Sequence, residues 1–437
     1  MSLPAQSPLP PLRIDALEAM PFDGLTKGLP FDATGMTPRE AGAKGWNLLE
    51  GDLPFPVAVI REKVLQANSR WMAAFTEANG LRIAPHGKTT MAPKLFDLQA
   101  SDGAWAITTA TAQQVAVCRT YGVARVLLAN QPVGRVTIDY LLSTLSGPDP
   151  IELYCLADSP EGVAALAEAA AASPPPADNP LRVLVEVGVM GGRTGVRDHE
   201  TALAVARAVA AAPGLELAGV ECFEGILPDT AAVERLVNEV VALARSVDAE
   251  GLVSAERPLV LTAGGSSFFD RVGECFAAAG FDRAVLKILR SGCYLTHDTM
   301  GYARAFDRIR AETSLHLPPG GLEPALEVWA VVQSRPEPER AILTMGKRDV
   351  GYDAGLPKPL RWYRAGMAAP EDMPAGHEIV ALNDQHAHMT LPADSPLGHG
   401  DMVAFGIGHP CTTFERWHLI WLVDEGYGVR HALRTFF

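Results

Sequence analysis

Arg82-Ile-Ala-Pro-His-Gly-Lys-Thr-Thr-Met-Ala-Pro-Lys94 is the stretch on which the reading of this chain turns. Pro85 and Gly87 interrupt regular structure, so Lys88 falls just beyond a short apolar strand and before a helix that begins near Thr90. Most lysines in such places are solvated loop residues. Gly87-Lys88-Thr89 also ends like a phosphate loop, but the first glycine of GxxxxGK[ST] falls at position 82, which is Arg. Gly188, Gly191, Gly192 and Gly195 lack GxGxxG spacing, so a dinucleotide fingerprint is absent too. What remains is a lysine in a Pro/Gly-shaped turn, a place where a partly buried amine can serve as a nucleophile.

Outward from this turn, short β-branched runs alternate with Ala/Glu/Arg-rich helical stretches. Strands are expected at 57–60, 126–129, 152–156, 182–187, 217–222, 259–262 and 285–289, with amphipathic helices at 63–79, 110–121, 160–172, 199–212 and 231–249. Apolar strands alternating with helices of this length indicate a parallel sheet buried on both faces. Roughly eight strands suit a (β/α)8 barrel, in which active-site residues collect at the strand C-termini. A doubly wound open sheet is the competing architecture. Beyond Leu315-His-Leu-Pro-Pro-Gly-Gly the helical pattern fades into alternating segments at 326–332, 340–345, 378–383, 402–407 and 419–423. These predict an all-β second domain. The expected organisation is an N-terminal extension over 1–45, partly joining the β-domain, a barrel over 46–312 and a β-domain over 313–437.

The chain has 437 residues, 48% hydrophobic and 20% charged, with a net charge of −14. That balance excludes nucleic acid as the main partner, because phosphate binding needs a basic face. The Pro-rich start has neither the basic region nor the apolar run of a signal peptide. The Ala-rich run over 162–173 is too short to span a bilayer. A soluble cytoplasmic protein with no membrane partner is therefore expected. Six cysteines, at 118, 155, 222, 275, 293 and 411, form no CxxC pair and read as reduced thiols.

Pro85-His-Gly-Lys88-Thr89, followed by Gly103-Ala-Trp-Ala-Ile-Thr-Thr-Ala110, resembles the fold-type III pyridoxal-phosphate enzymes, and more narrowly the D-serine dehydratase/D-threonine aldolase family. The resemblance runs from about Gly45 to the C-terminus. It implies an alanine-racemase-like barrel in which Lys88 carries pyridoxal 5'-phosphate as an internal aldimine and later acts as the catalytic base. Thr262-Ala-Gly-Gly-Ser-Ser267 follows an apolar strand; its glycines and hydroxyls suit a phosphate, as they also suit a plain turn. The resemblance places Gly264, Gly265 and Ser266 in the phosphate cradle, completed by Gly292 and the Cys293 amide. It sets Arg193 at the cofactor's phenolate oxygen and Phe223 where relatives carry Tyr. Arg290 either faces the pyridine ring or makes an ordinary surface ion pair. A cation at the ring nitrogen would keep it unprotonated and weaken the ring as an electron sink.

His409-Pro-Cys411 is the second specific signal. In extended backbone, residues two apart point to one side, and imidazole plus thiolate favours Zn²⁺, though another divalent metal is possible chemistry for the pair. Two ligands suit a catalytic ion with open positions rather than a closed structural site. The segment resembles the family's C-terminal metal motif, where His-x-Cys is typical of dehydratases and His-x-Asp of D-threonine aldolases. His386, in Asn383-Asp-Gln-His386-Ala-His388, falls where relatives carry an active-site histidine for substrate binding or acid–base work. The expected activity is a D-serine dehydratase (D-serine ammonia-lyase) acting on a small D-amino acid. The alternatives are a D-threonine aldolase, an amino acid racemase or a non-catalytic cofactor carrier. Family members pair head to tail, which implies a homodimer.

Overall fold

The computed structural model describes residues 6–437. Eight strands form one parallel sheet: β2 (Arg82–Ile83), β3 (Ile107–Thr109), β4 (Arg125–Leu128), β5 (Glu152–Ala157), β6 (Leu181–Val187), β7 (Leu215–Cys222), β8 (Leu259–Ala263) and β9 (Val285–Leu289). Their order is β2-β9-β8-β7-β6-β5-β4-β3. The ends of that order meet through a parallel bridge between His86 and Thr108 and a 2.8 Å bond from Trp105 N–H to Ile83 O. The sheet thus curls into the expected barrel. The intervening helices form because their apolar residues recur at helical spacing on one face. Thr230–Ala249, for example, buries Val233, Val237, Val240, Ala244 and Val247, and the Asp229 side chain caps it by accepting from Ala232 N–H.

One strand departs from the sequence expectation. β1 (Val57–Arg61) is not a barrel strand: it runs antiparallel to β10 (Leu326–Glu337) and parallel to β17 (Leu419–Val423), inside the second domain's sheet. Its Val-Ala-Val-Ile run is buried throughout, and such a run has no periodicity that distinguishes one sheet from another. The barrel's first strand is instead the two-residue β2, the short strand expected just before Lys88. The second domain adds β11 (Arg340–Leu343), β12 (Lys358–Tyr363), β13 (Glu371–Asp372), β14 (Glu378–Leu382), β15 (Ala387–Thr390), β16 (Met402–Gly406) and β18 (Val429–Arg434). Phe22, Leu29, Met36 and Leu48, from the N-terminal segment, pack with Val57, Trp329 and Trp421 of this sheet. Glu18 pairs with His431 at 2.8 Å and with Lys94 at 3.3 Å, pinning the same segment to both domains. No helix among the described residues is long and apolar enough to cross a membrane.

Candidate active site

The C-terminal ends of the barrel strands surround a cavity lined by His86, Lys88, Asn130, Leu156, Arg193, Glu221, Phe223, Gly264 and Arg290, among others. Five of the residues singled out in the sequence, Lys88, Arg193, Phe223, Gly264 and Arg290, therefore meet at one place. Lys88 sits half-buried in the single 3-10 turn Gly87–Thr89. Roomier cavities exist elsewhere, such as the one bounded by Arg61, Arg361, Glu425 and Tyr427. None of the residues lining it belongs to this lysine-bearing group, so the chemistry assigns the smaller cavity.

Packing around the turn is close. A Cβ on Gly292 would lie 2.7 Å from both His86 O and Thr89 Oγ1, the residues flanking Gly87 and Lys88. His86 Nδ1 is buried without a hydrogen-bond partner. Burial, followed by the cations Lys88, Arg290 and Arg193, pushes its pKa well below the ordinary imidazole value, so at neutral pH it is an uncharged ring. Across the cavity the Arg193 guanidinium lies 4.6 Å from the Phe223 ring centroid, within cation–π range. Arg290 is no surface ion pair: it is 3% exposed and donates to Thr262 Oγ1 and Cys222 O, both at 2.9 Å. Glu221 Oε2 stands 2.6 Å from its Nη2.

The glycine loop after β8 is organised differently from a bare phosphate cradle. Gly264 N–H and Gly265 N–H donate to the two carboxylate oxygens of the buried Glu224, at 3.0 and 2.6 Å. Burial raises the Glu224 carboxyl, against the pull of these two amides. Gly264 has φ +143, and a Cβ there would meet Arg290 N at 2.6 Å, so only glycine fits. Ser266 and the amides of Gly292 and Cys293 remain at the tips of β8 and β9.

His409 and Cys411 lie at the end of the β-domain nearest Lys88. Their backbone is not a continuous strand: His409 is extended, and Cys411 occupies the first turn of the helix Pro410–Phe414. Pro410 at the first helical position accounts for this break. The pair nevertheless meets through a side-chain hydrogen bond, which raises the His409 pKa to about 9, with Asp353 adding to the effect. Asp353 Oδ2 lies 2.5 Å from His409 Nδ1, leaving the other ring nitrogen for a ligand, and Thr412 Oγ1 holds the same carboxylate at 2.8 Å. Cys411 Sγ is 3.5 Å from Cys293 Sγ and 3.4 Å from Thr89 Oγ1, next to Lys88. Hydrogen bonding from Cys293, and then from His409, draws the Cys411 thiol well below its ordinary range, while Cys293 is driven up by Cys411.

Cys293 was expected to act through its amide; its side chain turns to the thiol of Cys411. His386 is not brought to the cavity. It is exposed in the turn between β14 and β15, where its carbonyl accepts from Asn383 N–H. The hairpin pairing sets that orientation, which sequence position alone does not show. His86, Glu221, Glu224 and Asp353 were missed. Each acts through a partner distant in sequence, except His86, whose place beside Lys88 was a usable signal.

Two family models match: "Alanine racemase, N-terminal domain" over residues 60–310, and "Putative serine dehydratase domain" over residues 325–423. A 3-hydroxy-D-aspartate aldolase of Paracoccus denitrificans (strain Pd 1222) is 24% identical over 318 residues, 70% of this chain and 76% of that protein. The D-threonine aldolase structure from Filomicrobium marinum superposes with a TM-score of 0.72 at 22% identity, covering 90% of this chain and 97% of the other. The D-threo-3-hydroxyaspartate dehydratase from Delftia sp. HT23 gives 0.67 at 21% identity, covering 89% and 99%. A dehydratase of that name is also known as histidine-to-alanine and cysteine-to-alanine variants two positions apart, the latter in a metal-free form. With that family's model matched across more than half of the chain and a lysine at the barrel mouth, the chain belongs to the alanine racemase family of fold-type III pyridoxal-phosphate enzymes, and its second domain matches the putative serine dehydratase domain.

Proposed function

We propose that this protein is a pyridoxal-phosphate- and metal-dependent lyase that dehydrates D-3-hydroxy amino acids, with D-serine as the reference substrate, to a 2-oxo acid and ammonia. The observation that carries the reading is the junction of the two domains. Thr89, next to Lys88, lies 3.4 Å from Cys411 of the His-x-Cys pair, so the turn that carries the amine and the soft-metal donor set are neighbours.

The residues present fit the cofactor. The cavity holds the lysine, an unpartnered imidazole nitrogen on His86 and an unpartnered carboxylate oxygen on Glu221, polar atoms whose burial is costly until something meets them. Lys88 would hold the aldehyde carbon, Arg193 and Phe223 the ring, and Ser266, Gly292 and the Cys293 amide the phosphate. Bound there, pyridoxal phosphate supplies an electron sink for negative charge at the substrate Cα. Lys88 Nζ would take the substrate Cα proton. Gly264 and Gly265, tied to Glu224, keep the loop in place rather than act as free donors.

The donor set also fits a metal. Among the described residues no three His, Cys, Asp or Glu side chains form a ready-made site. His409 and Cys411 instead offer one nitrogen and one acidic sulfur, with Asp353 fixing the imidazole as a carboxylate does in many zinc sites. Such an ion would polarise the substrate β-oxygen, which leaves poorly as hydroxide. The His-x-Cys spacing parallels the paired histidine and cysteine variants of the dehydratase, and that supports elimination over other outcomes.

A second reading, retro-aldol cleavage, is supported by the names of the aldolase relatives. Incubation with D-threonine separates the two. Dehydration yields 2-oxobutyrate and ammonia; glycine and acetaldehyde would show the aldolase instead. Absence of a Lys88-dependent absorbance band in cofactor-supplemented protein would remove both readings.

A further inference from the structure

Glu221 and Arg290 form the one buried ion pair among the residues named at this cavity's wall. Glu221, on β7, is in register with Thr262 on β8, and Arg290 reaches back from the end of β9 across Thr262 to meet it. Arg290 Nη1 is taken by Thr262 Oγ1, and Nη2 by Cys222 O and Glu221. The Glu221 contact is an ion pair without hydrogen-bond alignment, and Glu221 Oε1 has no partner at all, although the residue is 1% exposed. A carboxylate left this way inside a cavity points to a missing donor. The neighbouring Glu186, in register on β6, shows the contrast: its oxygens are met by Gln131 and Thr194 at 2.5 and 2.8 Å.

The other charged or titratable groups near Glu221 are His86 and Lys88 on the turn after β2, Arg193 on the loop after β6, and Glu224 just beyond β7. Arg290 alone would present a net positive charge to the cofactor ring and hold its nitrogen unprotonated. Paired with Glu221 it presents a neutral couple with a free acceptor oxygen. Burial among the protein's own groups raises Glu221 to about 7, against the lowering effect of Arg290; a protonated ring nitrogen donating to the carboxylate would hold it ionised.

We propose that Glu221 is a positioning residue that cancels the charge of Arg290 at the cofactor ring and thereby keeps the pyridine nitrogen protonated. This rests on the reading that pyridoxal phosphate occupies the cavity with its ring toward Arg290. It assigns the protein a full electron sink, suited to eliminating a poor leaving group, instead of the weakened sink that Arg290 by itself implies.

The test uses protein reconstituted with pyridoxal phosphate carrying ¹⁵N in the ring. The wild-type resonance should fall in the pyridinium region at neutral pH. Glu221→Gln should move it to the unprotonated region while the Lys88-dependent absorbance band persists. Glu221→Asp should restore part of the wild-type position. An unprotonated wild-type nitrogen overturns the proposal, even if Glu221→Gln does not fold. An unchanged resonance in Glu221→Gln with the band intact also overturns it and leaves the parent reading standing. No Lys88-dependent band in the wild type overturns the parent reading and this one with it.

Discussion

Gly292→Ala tests whether close packing holds the Lys88 turn. The added Cβ would lie 2.7 Å from His86 O, 2.7 Å from Thr89 Oγ1 and 2.9 Å from His86 Cβ. Carbon–oxygen contacts in proteins ordinarily sit at roughly 3.3–3.6 Å, so the overlap on each oxygen is at least about 0.6 Å. Two of the three atoms belong to His86, and its carbonyl accepts from Thr89 N–H at 3.1 Å. Backbone must therefore yield, not only a flexible side-chain tip. Overpacking of this kind costs about 1–3 kcal/mol, and here the displacement is delivered to both sides of Lys88. The expected result is a lowered denaturation midpoint together with a loss of turnover larger than the loss of stability would explain, since small misplacements of reacting groups cost rate steeply. Urea denaturation and steady-state kinetics on the same preparation measure both. A variant with unaltered midpoint and unaltered turnover would show that the turn has slack, and the packing argument would be wrong.

Asp353→Ala removes the carboxylate on His409 Nδ1, and metal affinity should fall about 10–100-fold; competition against a chromophoric chelator reads it, and an unchanged affinity refutes the orienting role. Glu152 is buried at the start of β5 between Arg125 at 2.8 Å and Arg182 at 3.4 Å. Glu152→Ala removes the carboxylate that balances those buried guanidinium charges and should cost about 3–5 kcal/mol, whereas a shift under about 1 kcal/mol in chemical denaturation would mean that the cluster reorganises. Glu18 is pushed up by burial, but hydrogen bonding to His431 and the charges of His431 and Lys94 outweigh this and leave it below its ordinary value. Its contribution to stability is therefore full above the ordinary glutamate pKa and is lost as pH falls through the lower, folded value. Glu18→Gln should flatten the acid limb of the stability–pH curve, and thermal melts from pH 7 down to about 3 should show the wild-type and variant curves converging.

Lys88 and the His409-x-Cys411 pair were legible in the sequence because each is a local pattern. A turn built by Pro85 and Gly87, or two donors at fixed spacing, needs no distant residue to be recognised. Strand–helix alternation and its loss after residue 315 were legible for the same reason, since periodicity is a property of consecutive residues. The partners were not. Glu221 and Arg290 are 69 positions apart within the barrel, Asp353 and His409 56 within the β-domain, and Cys293 and Cys411 118 across the two; each pair meets only in the folded chain. The allegiance of β1 was hidden likewise, because a fully buried apolar run satisfies either sheet until its neighbours compete for its backbone. Sequence by itself determined the kinds of chemistry available: one amine in a shaped turn, a soft donor pair and a barrel to hold them. Only the tertiary structure decided the charges around them, because electrostatic environment depends on which groups share a buried space and not on their order along the chain.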